Sequence, residues 1–337
     1  MIIHLLKLIL LMSVFGHCRA ETYDMSIKDS VVGEMARTYS RIDQTLPDLA
    51  RLHGLGYTEI KRANQTVDTW IPGEKQEVVL PKRFVLPVVP HVGIVINIPE
   101  MRLYYFPGGD TGVTRQVVTY PIGIGREGWA TPYISTNIIQ KTKDPAWHPP
   151  ESVRAEHARN GDILPVVVKP GPDNPLGAFA MRLGLPSYLI HGTNKPYGVG
   201  LRVSSGCIRL YPEDIKALFA QVSVGTPVRI VNQPYKVGIL DGSIFLEAVP
   251  FLTEDTELFD GNLTSVVKML VNLSNEQKYD VDWELAKKVI SERDSIPVEI
   301  GRILDEPMQE YTAADKVARH TVNDTLEQKR ESGVQHQ

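Results

Sequence analysis

The fold class of this chain is indicated by two segments, Gly93-Ile94-Val95-Ile96-Asn97-Ile98 and Arg102-Leu103-Tyr104-Tyr105-Phe106. Both are rich in β-branched and aromatic residues. Turn residues, Pro99 and Pro107-Gly108-Gly109, follow them, and the two segments therefore predict a β-hairpin. Beyond this hairpin, the sequence predicts more short strands between connections rich in Pro and Gly. They lie at 115–124, 133–140, 166–169, 178–183, 188–191 and 226–231, and the first of them ends in a Gly123-x-Gly125 turn.

One helix interrupts these strands. It is predicted from Pro212 to Val222, because a proline opens it and Glu213 and Asp214 lie near its positive end. Many short strands and a single helix indicate a mainly β domain, a sandwich or barrel-like fold, over residues 92–232.

Composition limits what the rest of the chain can be. The 337 residues suggest two or three folded units, and 42% hydrophobic with 23% charged residues is ordinary for globular proteins. With 36 Lys and Arg against 40 Asp and Glu, the net charge is −4 and no basic block is present. A nucleic-acid partner is therefore not expected. Two Cys also exclude a disulfide scaffold.

Residues 1–20 read as a secretory signal peptide, with Lys7 as the positive region, an apolar run over 8–16 and Ala20 at the end. The run is too short to cross a bilayer, so no stable transmembrane anchor is expected. A lipoprotein acceptor at Cys18 is the alternative, although His17 stands where such sites carry a small residue. If the segment is cleaved, Cys207 remains as a lone thiol in an oxidising compartment.

Flanking units lie on both sides of the β domain. Residues 37–85 predict a βααβ unit, with helical spacing at 49–52, a second helix at 60–63 and a strand at 77–81; the stretch before it is expected to be an extended lead-in. Residues 233–300 predict an α+β accessory lobe with weak strands at 237–240 and 244–249 and helices around 262–273 and 283–293. Residues 301–337 are expected to be a loose tail.

The reactive residue types are concentrated between His191-Gly192-Thr193 and Ser204-Ser205-Gly206-Cys207-Ile208-Arg209. A thiol is nucleophilic as thiolate, so a working cysteine needs a base nearby, and His191 at a strand end can supply it. Gly206 lets a substrate approach closely, and its amide with that of Cys207 could bind an oxyanion. A buried inert cysteine beside a structural histidine is the alternative that spacing alone leaves open.

At these residues the chain resembles the L,D-transpeptidase (YkuD-type) family, and closely its ErfK/YbiS-like periplasmic branch, which attaches the major outer-membrane lipoprotein to peptidoglycan. The family signature is a histidine, a spacer, then Ser/Thr-His-Gly-Cys, an apolar residue and Asn or Arg. Further matches lie at 101–105, 121–125, Thr131-Pro132, Pro145-Ala146-Trp147 with Pro149, 171–177 and 225–228.

This resemblance implies a reaction and a set of roles. Cys207 would be the acylated nucleophile, His191 the proton acceptor and donor, and the Gly192 carbonyl the group that orients the imidazole. Arg209, Ser204, Ser205 and Thr193 would line the substrate site. The bond cleaved would join diaminopimelate to the terminal D-Ala of a tetrapeptide stem, and the acceptor would be the C-terminal lysine of a lipoprotein or another diaminopimelate. No cofactor and no metal are expected.

The signature is broken at one position, where Ser205 replaces the second histidine. A serine keeps the backbone donor and loses the imidazole, so the rate or the choice of acceptor is expected to differ from that of relatives. Two other hypotheses stay open from sequence: hydrolysis of the same linkage with water as acceptor, and a non-enzymatic wall-binding protein.

The βααβ unit resembles the LysM module on Leu49-Ala50, 60–64, Pro72-Gly73 and 78–81. That resemblance implies binding to the N-acetylglucosamine sugars of the cell wall. A small packing domain without a ligand is the alternative. Together the resemblances imply a periplasmic protein whose partners are peptidoglycan glycan and stem peptides.

Overall fold

The computed structural model describes residues 21–108, 114–259, 263–273 and 278–304. The predicted signal peptide at 1–20 and residues 305–337 of the predicted tail lie outside these ranges. Within them, no helix is both long enough and apolar enough to cross a membrane.

The strands and helices are short and follow one another closely. The strands are β1 (Glu21–Ser26), β2 (Val31–Val32), β3 (Met35–Tyr39), β4 (Glu77–Pro81), β5 (Phe84–Val85), β6 (Gly93–Asn97), β7 (Arg102–Phe106), β8 (Thr114–Pro121), β9 (Ile124–Gly125), β10 (Ser135–Lys143), β11 (Phe179–Leu183), β12 (Leu189–His191), β13 (Arg202–Ser204), β14 (Ile208–Arg209), β15 (Pro227–Val231), β16 (Tyr235–Leu240), β17 (Ser243–Ala248), β18 (Lys278–Val281) and β19 (Val298–Leu304). The α-helices are α1 (Leu46–Leu52), α2 (Tyr57–Ala63), α3 (Glu151–Arg159), α4 (Pro212–Gln221), α5 (Thr256–Phe259), α6 (Thr264–Leu273) and α7 (Trp283–Glu292).

A mixed sheet organises the described residues, and its strand order is β1-β8-β7-β6-β15-β10-β11-β12-β14. The predicted hairpin is its centre: β6 pairs antiparallel with β7, and every residue of both strands is buried. Ile94, Ile96 and Leu103 pack into one hydrophobic cluster, whereas Val95 and Tyr104 pack into another. Alternate side chains point to opposite faces, so both faces of this hairpin are covered. The mainly β fold class is thereby confirmed.

The βααβ unit covers one of those faces. Its elements, β3, α1, α2 and β4, lie close to their predicted positions, and β3 pairs antiparallel with β4. Leu49 and Ile60 of its helices share the cluster that contains Val95 and Tyr104 of the sheet. The unit is thus part of a common core with the sheet. Its assignment to the LysM modules stays a prediction.

Buried ion pairs tie the flanking units to the sheet. Arg102 of β7 and Glu59 of α2 form a bidentate pair, with Nε–Oε1 at 2.7 Å and Nη2–Oε2 at 2.8 Å. Lys236 of β16, fully buried, lies 2.7 Å from Glu100 and 3.0 Å from Glu247. The first pair connects the βααβ unit to the sheet, and the second connects the C-terminal lobe to it.

The C-terminal lobe is an antiparallel sheet in the order β16-β17-β19-β18, with α6 and α7 packed on it. The four predicted elements of this lobe are present. The structure adds β18 and β19, and because β19 runs from Val298 to Leu304 the predicted boundary at 300/301 cuts a strand. The loose-tail prediction is wrong for residues 301–304.

Other sequence predictions also need correction. Residues 166–169 form only an isolated bridge, between Val168 and Trp147, and not a strand. Helix α3 was not predicted, because Val153 is its only buried residue and it lacks an apolar period. The expected lead-in contains β1, an edge strand paired with β8. Ile124–Gly125, predicted as part of a turn, pairs in parallel with β13.

Candidate active site

The sheet register brings the two ends of the signature together. Strand β12 ends at His191, and β14 begins one residue after Cys207. These strands pair in parallel, with Ile190 opposite Ile208 and His191 opposite Arg209. Cys207 is two residues before Arg209 and directly precedes β14, so this pairing brings the loop that carries Cys207 beside β12, the strand that ends at His191.

The His191 ring is neutral and held in one orientation. It is 3% exposed, and its Nδ1 lies 2.6 Å from the carbonyl oxygen of Gly192. Burial, and secondly the positive charge of Arg209, lower the pKa of His191 to about 3. The neutral ring donates from Nδ1 to the Gly192 carbonyl, so Nε2 is the ring nitrogen without a proton. A hydrogen bond with the Leu176 backbone also acts on the pKa of His191. The Gly192 carbonyl thus lies against the imidazole, and its role in catalysis stays a prediction.

Glycine at position 192 is also required by packing. An added Cβ would lie 3.0 Å from Cγ2 of Ile215 in α4 and 3.3 Å from the carbonyl oxygen of Leu176. Helix α4 can therefore approach the end of β12 only because residue 192 has no side chain.

The thiol of Cys207 is protonated in the resting site. It is a free cysteine of intermediate exposure, and its Sγ donates to the carbonyl oxygen of Ser187 at 3.4 Å. Burial raises its pKa above the ordinary value, while the Leu189 backbone and the charge of Arg209 act in the opposite direction.

These two pKa shifts predict the pH dependence of thiol reactivity. Because His191 stays uncharged over the neutral range and the pKa of Cys207 is raised, the rate of Cys207 alkylation by iodoacetamide should rise about tenfold per pH unit, without a plateau below about pH 8.5. Mass spectrometry of the Cys207 peptide measures this rate, and the urea-unfolded chain is the control, which should react faster at each pH. A plateau near neutral pH would instead reveal a thiolate–imidazolium pair.

Two hydroxyl groups hold the loop that presents Cys207. The side chain of Thr131 donates to the carbonyl oxygen of Gly206 at 2.9 Å, and that of Ser204 donates to the carbonyl oxygen of Cys207 at 2.6 Å. Gly206 has φ +99, a conformation that a residue with a side chain rarely adopts. An added Cβ there would also lie 3.0 Å from the ring of Tyr188.

The other predicted substrate residues lie at different depths. Ser205 is exposed, whereas Thr193 is buried and its Oγ1 accepts from the backbone N–H of Lys195 at 2.9 Å, shaping the turn after His191. Arg209 carries a buried Nε without a hydrogen-bond partner. Arg209 pairs with His191 in the strand register and is two residues from Cys207, and its positive charge acts on the pKa of both groups.

Sequence reasoning did not find two supports of the site. One is Thr131, which in the sequence is only part of a match to the family. The other is Asn174, fully buried, whose amide donates to the carbonyls of Pro145 (2.9 Å), Lys169 (3.1 Å) and Val168 (3.3 Å) while its Oδ1 accepts from the N–H of Leu176 at 2.9 Å. Asn174 belongs to the motif at 171–177, which is among the matches to the family. Only the fold shows that Asn174 holds Leu176, whose backbone hydrogen-bonds with His191.

The spacer between His191 and Cys207 is clamped by the βααβ unit. The backbone N–H of Tyr57 donates to the carbonyl of Val199 at 3.2 Å, and an added Cβ at Gly200 would lie 2.3 Å from that nitrogen. Arg51 of α1 makes a bidentate pair with Glu213 of α4, at 2.7 and 2.8 Å. The unit therefore contacts both the spacer and the helix that follows the active-site strand.

The contact at Gly200 gives a prediction with a matched control. Gly200→Ala should lower the free energy of unfolding by about 2–4 kcal/mol and reduce activity. Residue 200 has φ +81, which a residue with a side chain rarely adopts, and the new methyl group would overlap backbone atoms. Gly54→Ala has a similar φ of +65 with nothing within 4 Å, so it should cost only about 1 kcal/mol. Urea unfolding measures both, and equal losses would contradict the clamp.

Known proteins match the sequence of this site and of the domain that contains it. The family described as YkuD, L,D-transpeptidase catalytic domain, matches residues 91–230. The Probable L,D-transpeptidase ErfK/SrfK of Salmonella typhimurium is 38% identical over 266 residues, covering 77% of this chain and 83% of its own length. The Probable L,D-transpeptidase YcfS of Escherichia coli is 39% identical over 267 residues, covering 77% and 81%. This chain belongs to the L,D-transpeptidase family.

Among solved structures, the chain is similar to the catalytic domain of the E. faecium L,D-transpeptidase determined by NMR, with 21% identity, 43% of this chain and 100% of that chain covered, and a TM-score of 0.32. The relatives reach well beyond the catalytic domain, because 77% of this chain is matched. The family resemblance seen in the sequence is confirmed, and so is the assignment of this chain as an enzyme that carries out L,D-transpeptidation of peptidoglycan.

Proposed function

We propose that this L,D-transpeptidase forms a thioester on Cys207 with a tetrapeptide stem and transfers the acyl group to the C-terminal lysine of an outer-membrane lipoprotein. The observation that supports the cysteine mechanism is the parallel pairing of β12 with β14, because β12 ends at His191 and β14 begins one residue after Cys207. The Gly192 carbonyl occupies Nδ1, so Nε2 is the nitrogen that serves the thiol.

Each step then has a named group. The Cys207 thiol gives its proton to Nε2 of His191, and the sulfur attacks the carbonyl between diaminopimelate and D-Ala. Backbone N–H groups of Gly206 and Cys207 stabilise the oxyanion. The imidazolium returns the proton to the departing D-Ala amine, which leaves a thioester on Cys207. An acceptor amine then loses a proton to His191 and attacks the thioester, releasing the thiol.

Arg209 is the proposed anchor for the donor. Its buried Nε lacks a partner, and guanidinium groups bind carboxylates in bidentate geometry. A stem peptide ending in D-Ala carries such a carboxylate close to the bond that breaks. Binding there would place the scissile carbonyl beside Cys207, with Ser204, Ser205 and Thr193 shaping the surrounding cleft.

The location and the glycan contact are also proposals. A signal peptide at 1–20 would deliver the enzyme to the periplasm, where peptidoglycan and the lipoprotein meet. The βααβ unit exposes Trp70 and Ile71, at 60% and 74%, on the connection after α2, and the rings of Trp70 and Tyr57 are 6.3 Å apart. Exposed aromatic and apolar side chains on this LysM-like unit suit the apolar faces of N-acetylglucosamine rings.

Product analysis tests the acceptor. Purified protein is incubated with disaccharide tetrapeptide, a peptide ending in lysine and a second stem, and the products are identified by mass spectrometry. We expect D-Ala release and a product in which the stem is joined to the C-terminal lysine of the peptide. A diaminopimelate–diaminopimelate product would assign cross-linking instead, and tripeptide alone would assign hydrolysis. A thioester adduct of mass consistent with the stem on the Cys207 peptide is expected in all three cases.

A further inference from the structure

The C-terminal lobe reaches the active site through one short turn. Residues Thr253–Asp255 form a 3₁₀ turn after β17, and they carry two adjacent carboxylates, Glu254 and Asp255. Asp255 is only 7% exposed. A buried carboxylate in an otherwise irregular turn requires partners, and these partners lie in the catalytic domain.

Glu254 binds the strand that leads to the nucleophile loop. Its carboxylate forms a bidentate pair with Arg202 of β13, Oε1–Nη2 at 2.7 Å and Oε2–Nη1 at 3.1 Å. The Nε of Arg202 also donates to the carbonyl of Gly125 at 3.3 Å. The hydrogen bond from Arg202 lowers the pKa of Glu254, so the pair is ionised at neutral pH. Two residues beyond Arg202 is Ser204, whose hydroxyl holds the Cys207 carbonyl.

Asp255 binds the second segment that holds this loop. Its Oδ2 accepts from the hydroxyl of Tyr133 at 2.8 Å and from Nδ2 of Asn232 at 2.9 Å. Two residues before Tyr133 is Thr131, whose hydroxyl holds the Gly206 carbonyl. Pro132 lies between them and fixes its own φ, so displacement of Tyr133 is transmitted to Thr131.

We propose that Glu254 and Asp255 are positioning residues of the transfer reaction. The lobe fixes Arg202 and Tyr133. Through Ser204 and Thr131, these residues fix the backbone carbonyls on either side of the Cys207 Cα, and so the position of the sulfur. The inference rests on the proposed role of Cys207 as nucleophile. It assigns a function to a lobe that is more than a packing unit, since both carboxylates reach into the catalytic domain. A displacement of about 1 Å at a reacting atom can cost up to about a hundredfold in rate.

Glu254→Gln and Tyr133→Phe test the two connections separately. Each should lower kcat for D-Ala release by about tenfold with KM changed less than about twofold, because the stem still binds while the sulfur is misplaced. The rate of Cys207 alkylation at fixed pH should change by a comparable factor. Glu284→Gln is the matched control: it removes a carboxylate of the same lobe from an exposed pair with Lys287, and both rates should stay at the wild-type value.

Charge exchange separates positioning from loss of stability. In Arg202→Glu combined with Glu254→Arg the ion pair can form in reverse, so kcat should recover to within about threefold of wild type, whereas each single reversal should be at least as impaired as Glu254→Gln. Wild-type kcat and alkylation rate in both Glu254→Gln and Tyr133→Phe would overturn the inference, as would losses explained by a smaller folded fraction. If the wild-type protein releases no D-Ala, the proposed reaction is wrong, and the alkylation rates still decide the positioning role.

Discussion

Cys207→Ala is expected to abolish transfer, with a loss of at least about 10⁴-fold in kcat and no covalent stem adduct. The reason is that no second thiol is present among the described residues, and the hydroxyls of Ser204 and Thr131, which hold the loop, are committed to backbone carbonyls. The loss is measured as D-Ala release from a tetrapeptide donor, and the adduct by mass spectrometry of the intact protein.

Ser223→Ala is the matched control for that experiment, because it also deletes one heavy atom and lies at an exposed position after α4. It should react at the wild-type rate. The thermal midpoint of Cys207→Ala should stay close to wild type, since the hydrogen bonds of the thiol with the Ser187 and Leu189 backbone are weak. Retention of more than about 1% of the wild-type rate in Cys207→Ala would show that another group carries the acyl intermediate.

Arg102→Met should destabilise the protein by about 3–5 kcal/mol, the largest expected effect on stability. Arg102 is 1% exposed and pairs through two hydrogen bonds with Glu59, which is nearly as buried. It also lies 4.1 Å from the ring centroid of Phe84 and donates to Thr119 and to the carbonyl of Gly54. Methionine leaves the Glu59 carboxylate buried without its hydrogen-bonded guanidinium partner.

Urea unfolding followed by fluorescence measures this loss. Arg37→Met is the control, because the Arg37–Glu77 pair is 2.8 Å long but exposed, at 68% and 42%, and should contribute less than about 1 kcal/mol. Replacing both buried partners, in Arg102→Met with Glu59→Leu, should recover much of the stability because no unpaired charge remains. If Arg102→Met and Arg37→Met had similar effects, the buried pair would not hold the βααβ unit on the sheet.

How far the sequence predicts the structure depends on the kind of signal. The hairpin of β6 and β7 was predictable because both segments are rich in β-branched and aromatic residues and each is followed by turn residues. Helix α4 was predictable because proline and acidic residues mark its start. Helix α3 and strand β1 were missed because each buries a single residue, Val153 and Met25 respectively, and an exposed element leaves no apolar period.

The candidate site divides in the same way. His191, Cys207 and Gly206 stand in a recognisable pattern, since the chemistry limits which residue types can occupy them. Thr131 and Asn174 were not singled out, because a hydroxyl or amide that binds distant backbone looks like any polar loop residue in sequence. The distance along the chain from Asn174 to Pro145 is 29 residues, and no local pattern records such a contact.

The mainly β fold and the family follow from the sequence alone, and so does the prediction that Cys207 and His191 react. These depend on residue type, period and spacing, which are written along the chain. Other contacts are visible only in the tertiary structure. The βααβ unit shares a core with the sheet, and the backbone of that unit clamps Gly200. Glu254 and Asp255 bind residues next to the segments that hold the Cys207 loop. Such contacts join residues far apart in sequence, and their energy comes from burial and charge pairing that exist only once the chain has folded.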